Sequence, residues 1–444
     1  MERDLTPTLV TWKNKASRKP LLLNGARQVG KTFLVRKFGQ SFPDFLEINF
    51  ERTPEIAQYF KKDLDPKRIV SEISLHTGRS IKEGQTLLFL DEIQSCEEAI
   101  TALRYFYEEM PGLHVIAAGS LLEFTIERVG VPVGRIETLY LYPMSLMEFM
   151  SAKGQGLLKE AILENTGLKP FSDPIHRKAM NLFHEYMAVG GMPEAVNAWV
   201  NDRDLPACAV IHKNIVENYR KDFLKYAKKR QVEHLALVME AIPRLLGKKF
   251  VYSSVSREHR SKDLFQALDL LSKANVAHRV THSSGNGVPL GAEENPQLFK
   301  ALFADVALAQ TILGLDAKDW CLNGEATVVN RGAITEAFAG QELLTYSDPT
   351  VMKKLHYWVR EKVSGNAEVD YLDSSGPHVL PIEVKSGATG RLKSLHLFLQ
   401  EKKSIQYGFR FSAMNYGRDG QIISMPLYAI AALGKTAGIL LSGT

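Results

Sequence analysis

Eight residues near the start of the chain, Gly25-Ala26-Arg27-Gln28-Val29-Gly30-Lys31-Thr32, have the types and spacing G-x-x-x-x-G-K-[ST] of a phosphate-binding loop. Gly25 and Gly30 permit the tight turn that aims successive backbone N–H groups at phosphate oxygens, and a helix starting near Lys31 adds its positive end. In such a loop the lysine reaches the β- and γ-phosphates and the Thr32 hydroxyl ligates magnesium. A second pair of candidates lies downstream, where the apolar run Leu87-Leu88-Phe89-Leu90 ends in Asp91-Glu92. At the end of a buried parallel strand, Asp91 is expected to hold the magnesium shell and Glu92 to polarise the attacking water, because phosphoryl transfer depends on positioning and charge neutralisation. An N-cap acid would explain one of the two carboxylates better than both.

These side chains must be placed by a parallel α/β sheet. Leu21-Leu22-Leu23 supplies a strand before the loop, and Phe33, Leu34, Val35 and Phe38 an amphipathic helix after it. Residues 45–50 read as the next strand, and residues 54–84 as helical with Ile69, Ile73 and Leu75 on the apolar side. A further strand, His114 to Ala118, ends in Gly119-Ser120. Ser120 has two readings of equal weight, a contact to the γ-phosphate or a helix N-cap with Glu123 completing a capping box. Residues 1–19 read as a short helix, 150–230 as a run of helices, and 136–141 as a strand introduced by Gly134-Arg135.

The order of phosphate loop, apolar-Asp-Glu, apolar-Gly-Ser, Gly-Arg before a strand, and then Leu141-Tyr142-Pro143-Met144-Ser145-Leu146-Met147-Glu148-Phe149 resembles the AAA-type ATPases that carry a C-terminal DUF4143 region. Similar signatures continue in Tyr186 to Ala195 and in Glu383-Val384-Lys385, so the resemblance covers nearly the whole chain. It implies ATP and Mg²⁺ as cofactors. It also implies a homo-oligomer in which Arg135, or failing that Arg128, reaches a neighbouring subunit's γ-phosphate as an arginine finger. The plainer alternative for Arg135 is pairing with a surface carboxylate.

A second constellation occupies the C-terminal third. Asp370, twelve residues, and then Glu383-x-Lys385 is the arrangement of the PD-(D/E)XK nuclease fold. Strand alternation puts Glu383 and Lys385 on one face, beside Asp370 across a hairpin turned at residues 374–376. Two carboxylates can bind Mg²⁺, the lysine can steer or deprotonate a metal-bound water, and Glu336 would complete the metal shell from a helix. A fold is not an activity, and related regions can keep the shape to grip nucleic acid or protein.

Between these sites the charge is uneven. Residues 220–262 hold twelve Lys or Arg against four Asp or Glu, so the remainder of this chain of overall charge +5 carries a net −3. Helices at Val232–Ala241 and Leu264–Leu271, followed by a hairpin around Ser283–Gly287, suit a winged helix, a DNA-binding variant that also serves as a packing module. Hydrophobic content of 45% with 24% charged residues is that of an ordinary globular chain. The apolar tail from Met425 to Ser442 is broken by Pro426, Gly434, Lys435 and Gly438, so it reads as buried strand and helix rather than a membrane span. Three scattered cysteines, Cys96, Cys208 and Cys321, fit a reducing cytosol.

The expected architecture is therefore an AAA-type nucleotide domain over 1–149, a helical lid over 150–230, a winged-helix-like unit over 231–295 and a nuclease-like α+β domain over 296–444. The expected function is an ATPase that couples its cycle to DNA binding, remodelling or cleavage. The alternative is a nucleotide-controlled switch whose catalytically silent C-terminal domain docks a protein partner.

Overall fold

The structure is a computed structural model that describes the chain except residues 121, 123–129, 131–133, 227–228, 316–330, 361–366, 389 and 443–444. Arg128, Glu123 and Cys321 lie outside the described residues. The N-terminal portion runs α1 (Thr6–Lys13), β1 (Leu21–Asn24), α2 (Lys31–Gly39), β2 (Asp44–Asn49), α3 (Ala57–Lys62), α4 (Pro66–Thr77), β3 (Thr86–Asp91), α5 (Glu97–Glu109), β4 (His114–Ala118) and β5 (Glu137–Tyr140). Its strands form one parallel sheet in the order β2-β3-β4-β1-β5. Helices cover both faces, which is why β1, β3 and β4 are buried along their whole length and read as unbroken apolar runs. The chain leaves the central strand β1 at its carboxyl edge directly into the loop Gly25–Gly30, where open α/β sheets place ligands.

Residues 54–84, expected to be helical, are so only in part: a 3-10 turn at Pro54–Ile56 leads into α3, α4 follows, and residues 78–84 lie outside any helix. The Asp65 carboxylate accepts from the backbone N–H groups of Lys67 and Arg68 and, with Pro66 at the first helical position, starts α4 afresh. Ile69 and Ile73, four apart, are fully buried. Leu75 is two residues beyond Ile73 on the opposite side and 80% exposed, so the apolar side expected to include it stops at Ile73.

Five helices follow: α6 (Leu146–Ala152), α7 (Gly156–Glu164), α8 (Asp173–Val189), α9 (Pro193–Asp202) and α10 (Leu205–Tyr226). A capping box fixes the start of α6, with the Ser145 hydroxyl accepting from Glu148 N and the Glu148 carboxylate accepting from Ser145 N. Beyond them come α11 (Lys229–Arg244), α12 (Tyr252–Val255), α13 (Ser261–Lys273), β6 (Ala277–Ser283), β7 (Glu294–Phe303) and α14 (Val306–Ile312). The last portion is α15 (Arg331–Thr345), β8 (Leu355–Val359), β9 (Glu368–Ser375), β10 (His378–Val384), α16 (Lys393–Glu401), β11 (Gly408–Ser412), β12 (Gly417–Asp419), β13 (Ile422–Pro426) and α17 (Leu433–Ser442).

The hairpin β6–β7 is antiparallel, as the glycine-rich turn implies, but β6 also pairs in parallel with β8. One mixed sheet results, in the order β12-β13-β11-β10-β9-β8-β6-β7. The expected division after residue 295 thus falls inside β7. One hydrophobic cluster runs from Leu5 through α8, α10, α11, β6 and α15 to Ala437 and touches both sheets, while a second lies on the other face of the first sheet and a third lies under α16. Among the described residues no helix is long and apolar enough to cross a membrane.

Candidate functional site

The loop after β1 is shaped by its glycines. Gly25 has φ of 152°, and a Cβ there would lie 2.2 Å from the Leu141 carbonyl oxygen, so a side chain cannot be accommodated without moving β5's continuation. Gly30 (φ 94°) and Gln28 (φ 66°) are also left-handed, which brings the chain round into α2. The loop is braced from behind. Buried Arg3 donates through Nη1 to the Val29 carbonyl (2.7 Å), through Nη2 to the Tyr142 carbonyl (2.6 Å) and through Nε to Glu148 (2.9 Å). From the other side the Tyr219 hydroxyl on α10 donates to the Arg27 carbonyl at 3.0 Å, and the Arg27 guanidinium pairs with Asp222 of the same helix.

Inside the loop the Lys31 ammonium is buried and donates to the carbonyls of Gly25 and Ala26, both at 2.8 Å. Burial pulls its pKa down to about 8, against the opposing pull of Glu92 and Asp91. The Thr32 hydroxyl meets Asp91, 59 positions away in sequence, at 3.0 and 3.2 Å from its two carboxylate oxygens. Burial, reinforced by the neighbouring Glu92 charge, raises the Asp91 carboxyl to about 6 despite hydrogen bonds from Thr32 and Asn49. Asn49 Nδ2 donates to Asp91 Oδ2 at 3.0 Å. Glu92 sits in the left-handed region (φ 51°) directly after β3, and its Oε2 accepts from Gln94 Nε2 at 2.6 Å.

The sequence-selected residues Gly25 to Thr32, Asp91 and Glu92 are therefore gathered at one sheet edge. Hydroxyl and carboxylate oxygens side by side are the donor set a hard divalent cation takes, and a turn lined by backbone with an ammonium at its end suits a phosphate chain. Ser120, buried at the end of β4, shares that edge, while its capping partner Glu123 lies outside the described residues. A cavity of about 330 Å³ opens beside Gly30, with Met1, Phe33, Met144 and Pro193 as its apolar wall and Arg3, Glu194 and Asn197 as polar lining. Arg135 is 44% exposed and its Nε donates to Glu108 at 2.7 Å, an ion pair on the surface of its own chain.

The second constellation also assembles. Lys385 Nζ donates to Glu383 Oε1 at 2.6 Å, and Asp370 Oδ2 accepts from Val384 N at 2.7 Å across the β9–β10 hairpin. Burial and the charges of Glu336 and Glu383 push the Asp370 carboxyl well above the ordinary range, and burial likewise raises Glu383. Glu336 of α15 lies close to Asp370. Two members were not foreseen. Glu368 joins Glu336 and Asp370, with one oxygen from each of the three within 4.8 Å of the others. Lys300 from β7, 1% exposed, contacts Glu336 at 2.8 Å and Glu368 at 2.5 Å. Glu368 carried a signal, being two residues before Asp370 on the same strand face, whereas nothing near Lys300 in sequence announced it.

Three family models match the chain: an AAA domain over residues 17–150, a domain of unknown function, DUF8612, over 180–319, and DUF4143, another domain of unknown function, over 331–430. No curated protein matches the sequence. Among solved structures the chain is similar to the Walker-type ATPase Paby2304 of Pyrococcus abyssi, at 16% identity over 70% of this chain and 95% of that one, with a TM-score of 0.46. It is also similar to the Aeropyrum pernix Orc1 protein in complex with DNA (12%, 70% and 90%, TM-score 0.27) and to AMPPCP-bound DnaA from Aquifex aeolicus (14%, 60% and 85%, TM-score 0.26). The chain thus carries an AAA domain, with the parallel sheet and phosphate loop, over residues 17–150 and a DUF4143 region, within the C-terminal α+β portion, over 331–430.

Proposed function

We propose that the chain binds and hydrolyses ATP with Mg²⁺ and couples that cycle to DNA. The observation that carries the reading is the contact of the Thr32 hydroxyl with Asp91, which unites loop and strand edge beside buried Lys31. Backbone N–H groups of Gly25–Thr32 and the Lys31 ammonium would hold the β- and γ-phosphates, with Thr32 and Asp91 holding the cation. Bound Mg²⁺ supplies neutralisation of phosphate charge. Glu92 would orient the water for in-line attack and accept its proton, and the cavity beside Gly30 would receive the base. Ser120 would contact the γ-phosphate, or else serve as a helix N-cap. Arg135 would act in trans in a homo-oligomer, for which its exposed pairing with Glu108 is a readily exchanged resting contact.

The DNA reading rests on the element order α11, α12, α13, β6, β7, which would suit a winged helix, and on exposed Arg244, Lys248, Lys249, Arg257, Arg260 and Lys262 around it. Asp370, Glu383, Lys385 and Glu336 would add a Mg²⁺-dependent phosphodiester site. Cleavage by wild type that is lost in Asp370→Ala supports this part, and no cutting of any DNA or RNA by wild type removes it. The second reading, a nucleotide-controlled switch with a silent C-terminal docking domain, is favoured by one observation: Lys300 already neutralises acids of that cluster.

ATP hydrolysis measured with and without duplex DNA at two salt concentrations separates the readings. Coupling to DNA predicts stimulation that weakens as salt rises, because phosphate contacts release counterions. Slow turnover indifferent to DNA, with nucleotide-dependent association, would move the assignment to the switch.

A further inference from the structure

The acid cluster of the C-terminal sheet contains a cation of its own. Glu336 comes from α15, Glu368 and Asp370 from β9, and Glu383 from β10, while Lys300 comes from β7 at the edge of the sheet, beyond both β6 and β8. Its side chain runs inward with the ammonium 4.9 Å from the centre of the Tyr357 ring, and it ends against Glu336 and Glu368. A lysine with 1% exposure is rare unless paired, and this one is paired twice. The remaining acids are less well served. Asp370 has its backbone contact to Val384, and Glu383 Oε2 is buried with no hydrogen-bond partner although Oε1 holds Lys385. Buried carboxylate oxygen left without a donor, beside three acids close enough to share one ion, marks a place shaped for a cation.

We propose that Lys300 serves as a resident cation that keeps a divalent metal out of the Glu336/Glu368/Asp370/Glu383 cluster, and that the cluster becomes a divalent-cation site when this lysine is withdrawn. An ammonium seated on Glu336 Oε1 and Glu368 Oε1 opposes entry of a metal ion, since it puts a like charge at contact distance from the site and neutralises the acids that would draw the ion in. Lys300 lies on β7 of the hairpin that follows the basic helices, and withdrawal of its ammonium from Glu336 and Glu368 opens the cluster. The inference rests on the second-site reading above, but it concerns metal occupancy and not cleavage.

The test uses the full chain and Mn²⁺ as the probe, with thermal unfolding as the readout. Lys300→Met should acquire a Mn²⁺-dependent rise in Tm that wild type and Lys300→Arg lack, and the rise should disappear in Lys300→Met/Asp370→Asn. The corresponding gain in Mn²⁺ affinity should be at least about a hundredfold, given removal of one positive charge at contact distance. If Lys300→Met is unfolded without metal, Mn²⁺ should restore its folding. Wild type that already shows a Mn²⁺ shift abolished by Asp370→Asn, or Lys300→Met that gains none, overturns the proposal. Mn²⁺-loaded Lys300→Met that leaves DNA intact would instead remove the cleavage reading while the occupancy proposal stands.

Discussion

At the scale of single residues, two contacts decide how the nucleotide edge is held. Thr32 touches Asp91 through one hydroxyl. Thr32→Val keeps the shape and removes that ligand, so the Mg²⁺ needed for half-maximal ATP turnover should rise about tenfold or more, and an unchanged requirement would take Thr32 out of the metal shell. Arg3 and Glu148 form a pair that is only 6% and 3% exposed, and Arg3 also serves the Val29 and Tyr142 carbonyls. Arg3→Ala leaves the carboxylate uncompensated and should cost about 3–5 kcal/mol in urea unfolding. A loss below about 1 kcal/mol would mean that water replaces the guanidinium there. The chemistry-bearing types were legible in the sequence because loop and acids sit at fixed spacings beside apolar strands. Arg3, Asp222 and Tyr219 were not, since their partners lie far along the chain and no local period connects them. Asn49 was within reach, as the polar residue ending the strand whose register places it opposite Asp91.

At the scale of elements, the turn between β1 and α2 is a conformation only glycine tolerates at its first position. Gly25→Ala would strain the φ of 152° and drive a methyl to 2.2 Å from the Leu141 carbonyl. The expected cost is about 1–3 kcal/mol of stability together with loss of ATP affinity, read by thermal unfolding and titration calorimetry. Wild-type affinity in that variant would show that the loop can be shaped another way. Strands β1, β3 and β4 of the first sheet were readable because both their faces are buried. Apolar spacing marks residues 54–84 as helical but not the break in them, which Asp65 and Pro66 make by capping and restarting α4. The hairpin β6–β7 was visible as turn chemistry, but its pairing with β8 was not, because a parallel partner some seventy positions away leaves no local mark.

At the scale of the molecule, one core spans both sheets, so groups buried far from the site report on the stability of the whole. His278 is 6% exposed and burial pushes its pKa down to about 4, as it does for His184. The unfolded chain takes up these protons near pH 6.5 while the folded chain resists until about 4, so stability present above about 6.5 is lost as pH falls through that window. His278 alone can contribute up to about 3 kcal/mol of this loss. Urea unfolding at pH 7 and pH 5 should show a smaller difference in His278→Leu than in wild type, and equal differences would remove His278 from the account. The account itself stands on the joint action of the phosphate loop and the two acids at the β3 edge. Its most direct measurement is ATP turnover in Mg²⁺ by wild type, Lys31→Ala and Glu92→Gln, with ATP affinity measured alongside. The account predicts that Lys31→Ala loses binding and that Glu92→Gln binds normally but turns over at least about a hundredfold more slowly. Wild-type turnover in both variants would contradict it.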